Sequence, residues 1–206
     1  MEQKSIKYGF RIVHIDNIPH IEDVGFVLPY SPHASTAYKP IGDTTLINAR
    51  NAAPVHGVTL SEYIPFYFGP RSPMLYVIQH GNNIVKKQKP EDIVYCVIRI
   101  ADIIRNNIEC IFTNGHARSR ITKFYKQSDL VRLNQYVSYN DVYATRWNDE
   151  DDIDLKRRKS AELIIKEELA KDYICGYVVY NENAKAKMIG FDIDEKKIIV
   201  NPNFYY

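Results

Sequence analysis

Residues 63–74 read YIPFYFGPRSPM. Tyr63 through Phe68 suit a strand, because rings and branched chains pack well on a pleated surface. Pro65 lacks an N–H, so this strand is expected at a sheet edge or a bulge. Gly69-Pro70 ends it. Ser72 then caps a helix starting at Pro73, where a missing N–H costs nothing. Met74, Leu75 and Ile78 fall on one face of that helix. A strand that turns at once into a capped helix points to a mixed α+β domain.

The same alternation extends outward. Residues 10–15 (FRIVHI) read as a strand. Asp16 or Asn17 can cap a helix through Ile21 to Val24, closed by Gly25. Residues 29–54 are rich in Pro, Ser, Thr, Asn and Ala and lack periodicity; a loop of that length in a compact domain is usually functional or mobile. Residues 93–100 (IVYCVIRI) are the clearest buried strand. A short helix over 101–106 and a strand over 109–113 follow. Further on come a strand over 176–180, a helix near 183–191 and a strand over 197–200. Periodicity over 155–171 reads as an amphipathic helix. There is no internal repeat and no linker, so residues 1–206 are expected to form one domain.

Composition narrows the function classes. Hydrophobic residues are 45% and charged residues 25% of 206, a globular balance. A net charge of +2 does not announce nucleic-acid binding, so local placement must carry that argument. Three cysteines, Cys96, Cys110 and Cys175, lie far apart with no CxxC spacing. A disulfide framework or structural zinc is therefore not expected, no metal ligands are assigned, and a reducing cytoplasm fits. The polar start and the lack of a long apolar run give no reason to expect a signal peptide or a membrane partner. No GxGxxG, Walker A, HExxH or GxSxG pattern is present.

Positive charge gathers in one stretch. His116, Arg118, Arg120, Lys123 and Lys126 interleave with Phe124 and Tyr125, and Arg146 and Trp147 follow. Cations neutralise phosphates and rings stack on unpaired bases, so the mix suits single-stranded nucleic acid; a solvated loop reads the same way. Residues 148–154 then form an acidic run. Glu162 and Arg50 do not stand out unaided, since a glutamate among helical charges usually faces water.

The 63–74 segment resembles the hallmark run of the DarT family, DYVPFYFxPRSPM, in its order of prolines and aromatics. Other segments agree in order. RIVHIDNIP at 11–19 resembles the opening strand and helix. Arg50-Asn51 precedes the hallmark at the family's distance. Phe112-Thr113 and His116-Ala117 resemble an FTDxHA signature, and 158–163 (RKSAEL) resembles RYQAE. The aromatic end, 204–206, also matches. The resemblance covers nearly the whole chain.

That resemblance implies an ADP-ribosyltransferase fold, a split mixed β-sheet core with flanking helices that grips NAD. It implies an NAD-covering element over about 32–52 and a substrate-reading loop over about 116–162. Glu162 maps onto the catalytic glutamate and Arg50 onto the catalytic arginine. Arg11, Ile12 and Val13 map onto the NAD-gripping strand, with Arg11 where many members carry histidine. Leu28, Arg50, Tyr67 and Met74 are assigned to the nucleotide, and Arg71 to a phosphate or a structural carboxylate. His116, Arg118, Arg120, Lys123, Tyr125, Arg146 and Trp147 are assigned to single-stranded DNA. The family places the glutamate at the start of a strand, so the helix beginning near Leu155 is expected to end before Glu162. The implied activity is transfer of ADP-ribose from NAD to thymine N3 in single-stranded DNA, by a toxin paired with a DarG-type macrodomain antitoxin. Guanine as target, a protein or RNA target, and a catalytically silent nucleic-acid binder remain open.

Overall fold

The computed structural model describes residues 4–43, 45, 54–55, 57–82 and 84–206. Its strands are β1 (Tyr8–His14), β2 (Tyr63–Tyr67), β3 (Ile93–Arg99), β4 (Cys110–Thr113), β5 (Phe124–Lys126), β6 (Glu162–Lys166), β7 (Ile174–Val179) and β8 (Ile198–Val200). Its helices are α1 (Ile18–Val24), α2 (Pro73–His80), α3 (Ile100–Arg105), α4 (Leu133–Tyr136), α5 (Tyr139–Val142), α6 (Leu155–Lys159) and α7 (Glu182–Ile189). Among the described residues the strands form one mixed sheet, ordered β5-β4-β6-β2-β1-β3-β7-β8, antiparallel except for β7 and β8.

The sheet is split. β1 pairs with β3 along seven positions, and β2 with β6 along five, but β1 meets β2 only at Phe10 opposite Tyr67. Pro65 belongs to this seam, not to an edge. Phe68 N–H reaches Ala161 O and Glu167 N–H reaches Glu62 O, so the even-numbered groups of β2 bond β6. Antiparallel alternation turns the odd positions toward β1. The N–H that Pro65 lacks would therefore have faced the open seam, and its carbonyl is taken by the Arg11 guanidinium at 2.9 Å. A proline is tolerated inside the sheet because the strands already part there.

Apolar layers cover both faces. Val13, Phe66, Phe68, Cys96, Ile98 and Leu163 pack under α1 and α3 on one side. Phe10, Leu75, Ile78, Tyr95 and Tyr205 pack under α2 on the other. Ser72 caps α2 through Leu75 N–H as expected. Neither Asp16 nor Asn17 caps α1 by its side chain: Asn17 is committed elsewhere, and Pro19 leaves one N–H fewer to satisfy. Gly25, at φ 81°, ends the helix against the Leu169 carbonyl, where a Cβ would lie 2.4 Å from that oxygen. The helical periodicity after Leu155 does not persist: α6 stops at Lys159, and Glu162 opens β6.

Candidate active site

Glu162 stands where the two halves of the sheet join. It lies opposite Tyr67, which lies opposite Phe10, so neighbouring strands bring these three to one face. The Glu162 side chain is almost fully buried, at 1% exposure, and a buried carboxylate needs partners. Ala117 N–H donates to its Oε1 at 2.9 Å. The Thr113 hydroxyl accepts from Glu162 N–H at 3.0 Å and donates to Gly115 O at 2.7 Å. The strand end and the turn after β4 are thus sewn together around the carboxylate.

That turn carries the cationic stretch. Asn114 and Lys123 close it by mutual backbone and side-chain bonds, and Ser119 N–H to His116 O and Thr122 N–H to Ser119 O form its two inner turns. Arg120 and Lys123 are exposed, and Arg118 and His116 are half-buried. Among the described residues none of Arg118, Arg120 and Lys123 forms an ion pair. Arg118 Nη1 and Arg11 Nε are buried without a partner. An orphaned guanidinium N–H costs more than a neutral one, and each suits an oxygen of an anionic ligand. Both fit a dinucleotide diphosphate or a DNA backbone.

The remaining assigned residues are placed unevenly. Arg11 reaches sideways across the seam to Pro65 O, 5.7 Å from the Phe26 ring centre. Ile12, Tyr67 and Met74 are half-buried. Val13 and Leu28 are core side chains, so a ligand could meet only their backbone. Tyr125 turns inward, stacked on Phe112 at 5.0 Å and against Tyr136 at 4.4 Å. Arg146 is exposed. Trp147 donates to Tyr206 Oη at 2.6 Å and meets the Tyr76 ring edge-on. Arg71 donates through Nη1 to Tyr205 O and lies 4.3 Å from the Tyr206 ring centre, while its Nε, like that of Arg11, is buried without a partner. Arg50, with residues 44 and 46–52 of the 32–52 segment, lies outside the described residues.

Several residues around the site have roles that the sequence did not assign them. Asn17 is buried, and its amide bonds both Lys39 N–H and Lys39 O at 2.8 Å, pinning the chain that leads toward residue 43. Asp16 holds Lys187 and Lys39, which keep its carboxyl down at about 2. Arg158 bonds Asp141, Asp152 and Asp154, so two carboxylates of the acidic run serve as counter-ions for α6. Lys159 is buried, with its ammonium on Pro70 O and Val142 O at 3.1 Å each. Among the described residues no group of His, Cys, Asp and Glu could hold a metal ion, and no helix is long and apolar enough to cross a membrane.

The chain matches, over residues 10–206, the family described as "ssDNA thymidine ADP-ribosyltransferase, DarT". It is 32% identical to a DNA ADP-ribosyl transferase of Escherichia coli O127:H6, covering 87% of this chain and 83% of that one. It is 27% identical to a transferase–glycohydrolase fusion protein of Thermosipho africanus, covering 96% of this chain and 49% of the fusion. Its fold is similar to that of Thermus sp. 2.9 DarT in complex with ADP-ribosylated single-stranded DNA, with a TM-score of 0.81 at 23% identity over the full length of both chains. The same Thermus protein in complex with NAD+ aligns with a TM-score of 0.77 at 22% identity, covering 98% of this chain and 99% of that one. A family model over all but the first nine residues, and a split sheet with a buried glutamate at its junction, place this chain in the DarT family of DNA ADP-ribosyltransferases.

Proposed function

We propose that this NAD-dependent DNA ADP-ribosyltransferase modifies thymine at N3 in single-stranded DNA, and acts as the toxin of a toxin–antitoxin pair. The observation that carries the reading is the bond from Ala117 N–H to Glu162. It joins the carboxylate to the turn bearing Arg118 and Arg120, so NAD cleavage and DNA engagement would occur side by side. The family's description as a thymidine-directed transferase supports the choice of base. The Thermosipho fusion supports a glycohydrolase partner that removes the mark, by resemblance a DarG-type macrodomain.

Glu162 would accept a hydrogen bond from the NAD ribose 2′-hydroxyl and stabilise positive charge on the sugar as the bond to nicotinamide breaks. The bonding electrons leave with nicotinamide. Thymine N3 then bonds the anomeric carbon, and its proton passes to Glu162 or to water. Arg50 would polarise the base as a fixed cation, since a guanidinium does not act as a base. Arg11 would anchor the nucleotide from the seam. Arg118, Arg120, Lys123 and Arg146 would meet phosphates, with Trp147 beside an unpaired base.

The test is incubation with NAD and four single-stranded oligonucleotides, each lacking one base, followed by intact mass. One ADP-ribose is expected on all but the thymine-free strand, and none from Glu162→Ala. Loss only on the guanine-free strand would move the target to guanine. No adduct on any strand, with NAD bound, would leave an RNA or protein target or a silent binder. An active Glu162→Ala protein would sink the site.

A further inference from the structure

We propose that Arg157 is a positioning residue for the Glu162 carboxylate, acting through the turn that carries the DNA-facing cations. The proposal rests on Glu162 being the catalytic carboxylate.

Arg157 is held on one side and holds on the other. Its Nε and Nη2 donate to both oxygens of Asp154, at 2.6 and 2.7 Å, which fixes the guanidinium plane. Its Nη1 then donates across to Asn114 O and Thr122 Oγ1, each at 3.2 Å. Its own carbonyl accepts from His116 N–H at 2.9 Å. The turn is therefore gripped at Asn114, His116 and Thr122 by one residue of α6. Ala117 N–H, the donor to Glu162, sits inside that grip and is fully buried. A lysine could not replace the fork, because a single ammonium cannot serve Asp154 bidentately and still reach two acceptors beyond.

Gly115 shows how tight the fit is. A Cβ there would lie 2.2 Å from Arg157 Nη1 and 3.0 Å from its Cγ and Cζ, and these are its three nearest atoms. The glycine backbone angle is ordinary, so an alanine is barred by Arg157 and not by its own conformation. Arg118 follows Ala117 directly, so a strand pulling on Arg118 or Arg120 pulls on the peptide that orients the carboxylate. Arg157 keeps that peptide in register whether or not DNA is present.

Steady-state kinetics on Arg157→Ala, Gly115→Ala and the double variant test this, with Glu162→Gln measured alongside. Each of the two single substitutions is expected to lower kcat about 100-fold, as small misplacements of reacting groups do. KM for NAD should stay within about twofold, because Arg157 makes no bond to Arg11, the residue read as anchoring the nucleotide from the seam. The double variant should be no worse than Arg157→Ala, since the three atoms nearest the methyl are then gone. Wild-type kcat in Arg157→Ala, or losses that multiply in the double variant, would overturn the proposal. If Arg157→Ala does not fold, Arg157→Lys takes its place, and Gly115→Ala must cost less in that background than in the wild type. An active Glu162→Gln would remove the catalytic reading itself; an inactive Glu162→Gln beside a fully active Arg157→Ala would remove only the positioning role.

Discussion

Lys159 sits 1% exposed with two carbonyls for company and no carboxylate. Burial, and then the nearby Arg71 charge, lower its pKa from the usual 10.5 to about 8. The sign of the consequence follows from proton counting. Between about pH 8 and 10.5 the unfolded chain still binds this proton and the folded chain does not, so stability rises with pH across that window. Below it the full penalty of the buried ammonium applies. Urea unfolding of wild type against Lys159→Met should therefore show the wild type gaining about 2 kcal/mol on the variant between about pH 7 and 9.5. Raised tyrosine pKa values act the other way at higher pH, but they are common to both proteins and cancel in the difference. A constant difference across that range would mean the ammonium is better solvated than its burial indicates. The residue also marks where reading a sequence stops. The family motif singles out Glu162 and runs through Arg158 and Lys159, yet Arg157, Arg158 and Lys159 stand in LKRRK, which by composition is a solvated helical face. Only the fold reveals which of those charges turn inward and what they hold.

At the scale of elements, local chemistry was legible where it was self-sufficient. Ser72 capping α2, Gly25 closing α1 and the buried run of β3 needed no partner to be read. Pro65 and the 155–171 segment went otherwise because their conformations are set by neighbours. Pro65 is accommodated by a seam that residues elsewhere create, and the helical period after Leu155 is overridden when Glu162 through Lys166 find β2 and β4 on either side. Asn17 belongs to the same class: its two bonds to Lys39 imitate a strand pair and hold the segment read as the start of the NAD cover. Each such bond contributes about 1 kcal/mol net. Asn17→Ala should therefore raise KM for NAD about tenfold while kcat moves less than about twofold. Calorimetric titration with NAD gives the same comparison at equilibrium. A variant that loses stability yet binds NAD as wild type would show that the 29–43 segment is a scaffold and not a cover.

For the whole molecule, a net charge of +2 hides an arrangement of opposite signs. Part of the acidic run pairs within the fold. Asp152 and Asp154 are drawn onto α6, where they pair with Arg157 and Arg158 and α5 adds Asp141. Among the described residues Arg118, Arg120 and Lys123 form no ion pair, and Arg146, exposed, lies further along the chain. A nearly neutral chain can thus present a basic face, which bulk composition could not reveal. The salt dependence of DNA binding measures that face directly. Each phosphate neutralised on a single strand contributes about −0.7 to the slope of log affinity against log salt, so four cations give about −2.8. Replacing Arg120 and Lys123 by glutamine should reduce the slope to about −1.4. NAD affinity should not change, because both side chains are exposed and make no bond to the Glu162 shell. If the slope stays at its wild-type value while affinity for the strand persists, the DNA runs over another surface. The turn that holds Glu162 would then belong to the NAD side of the reaction alone.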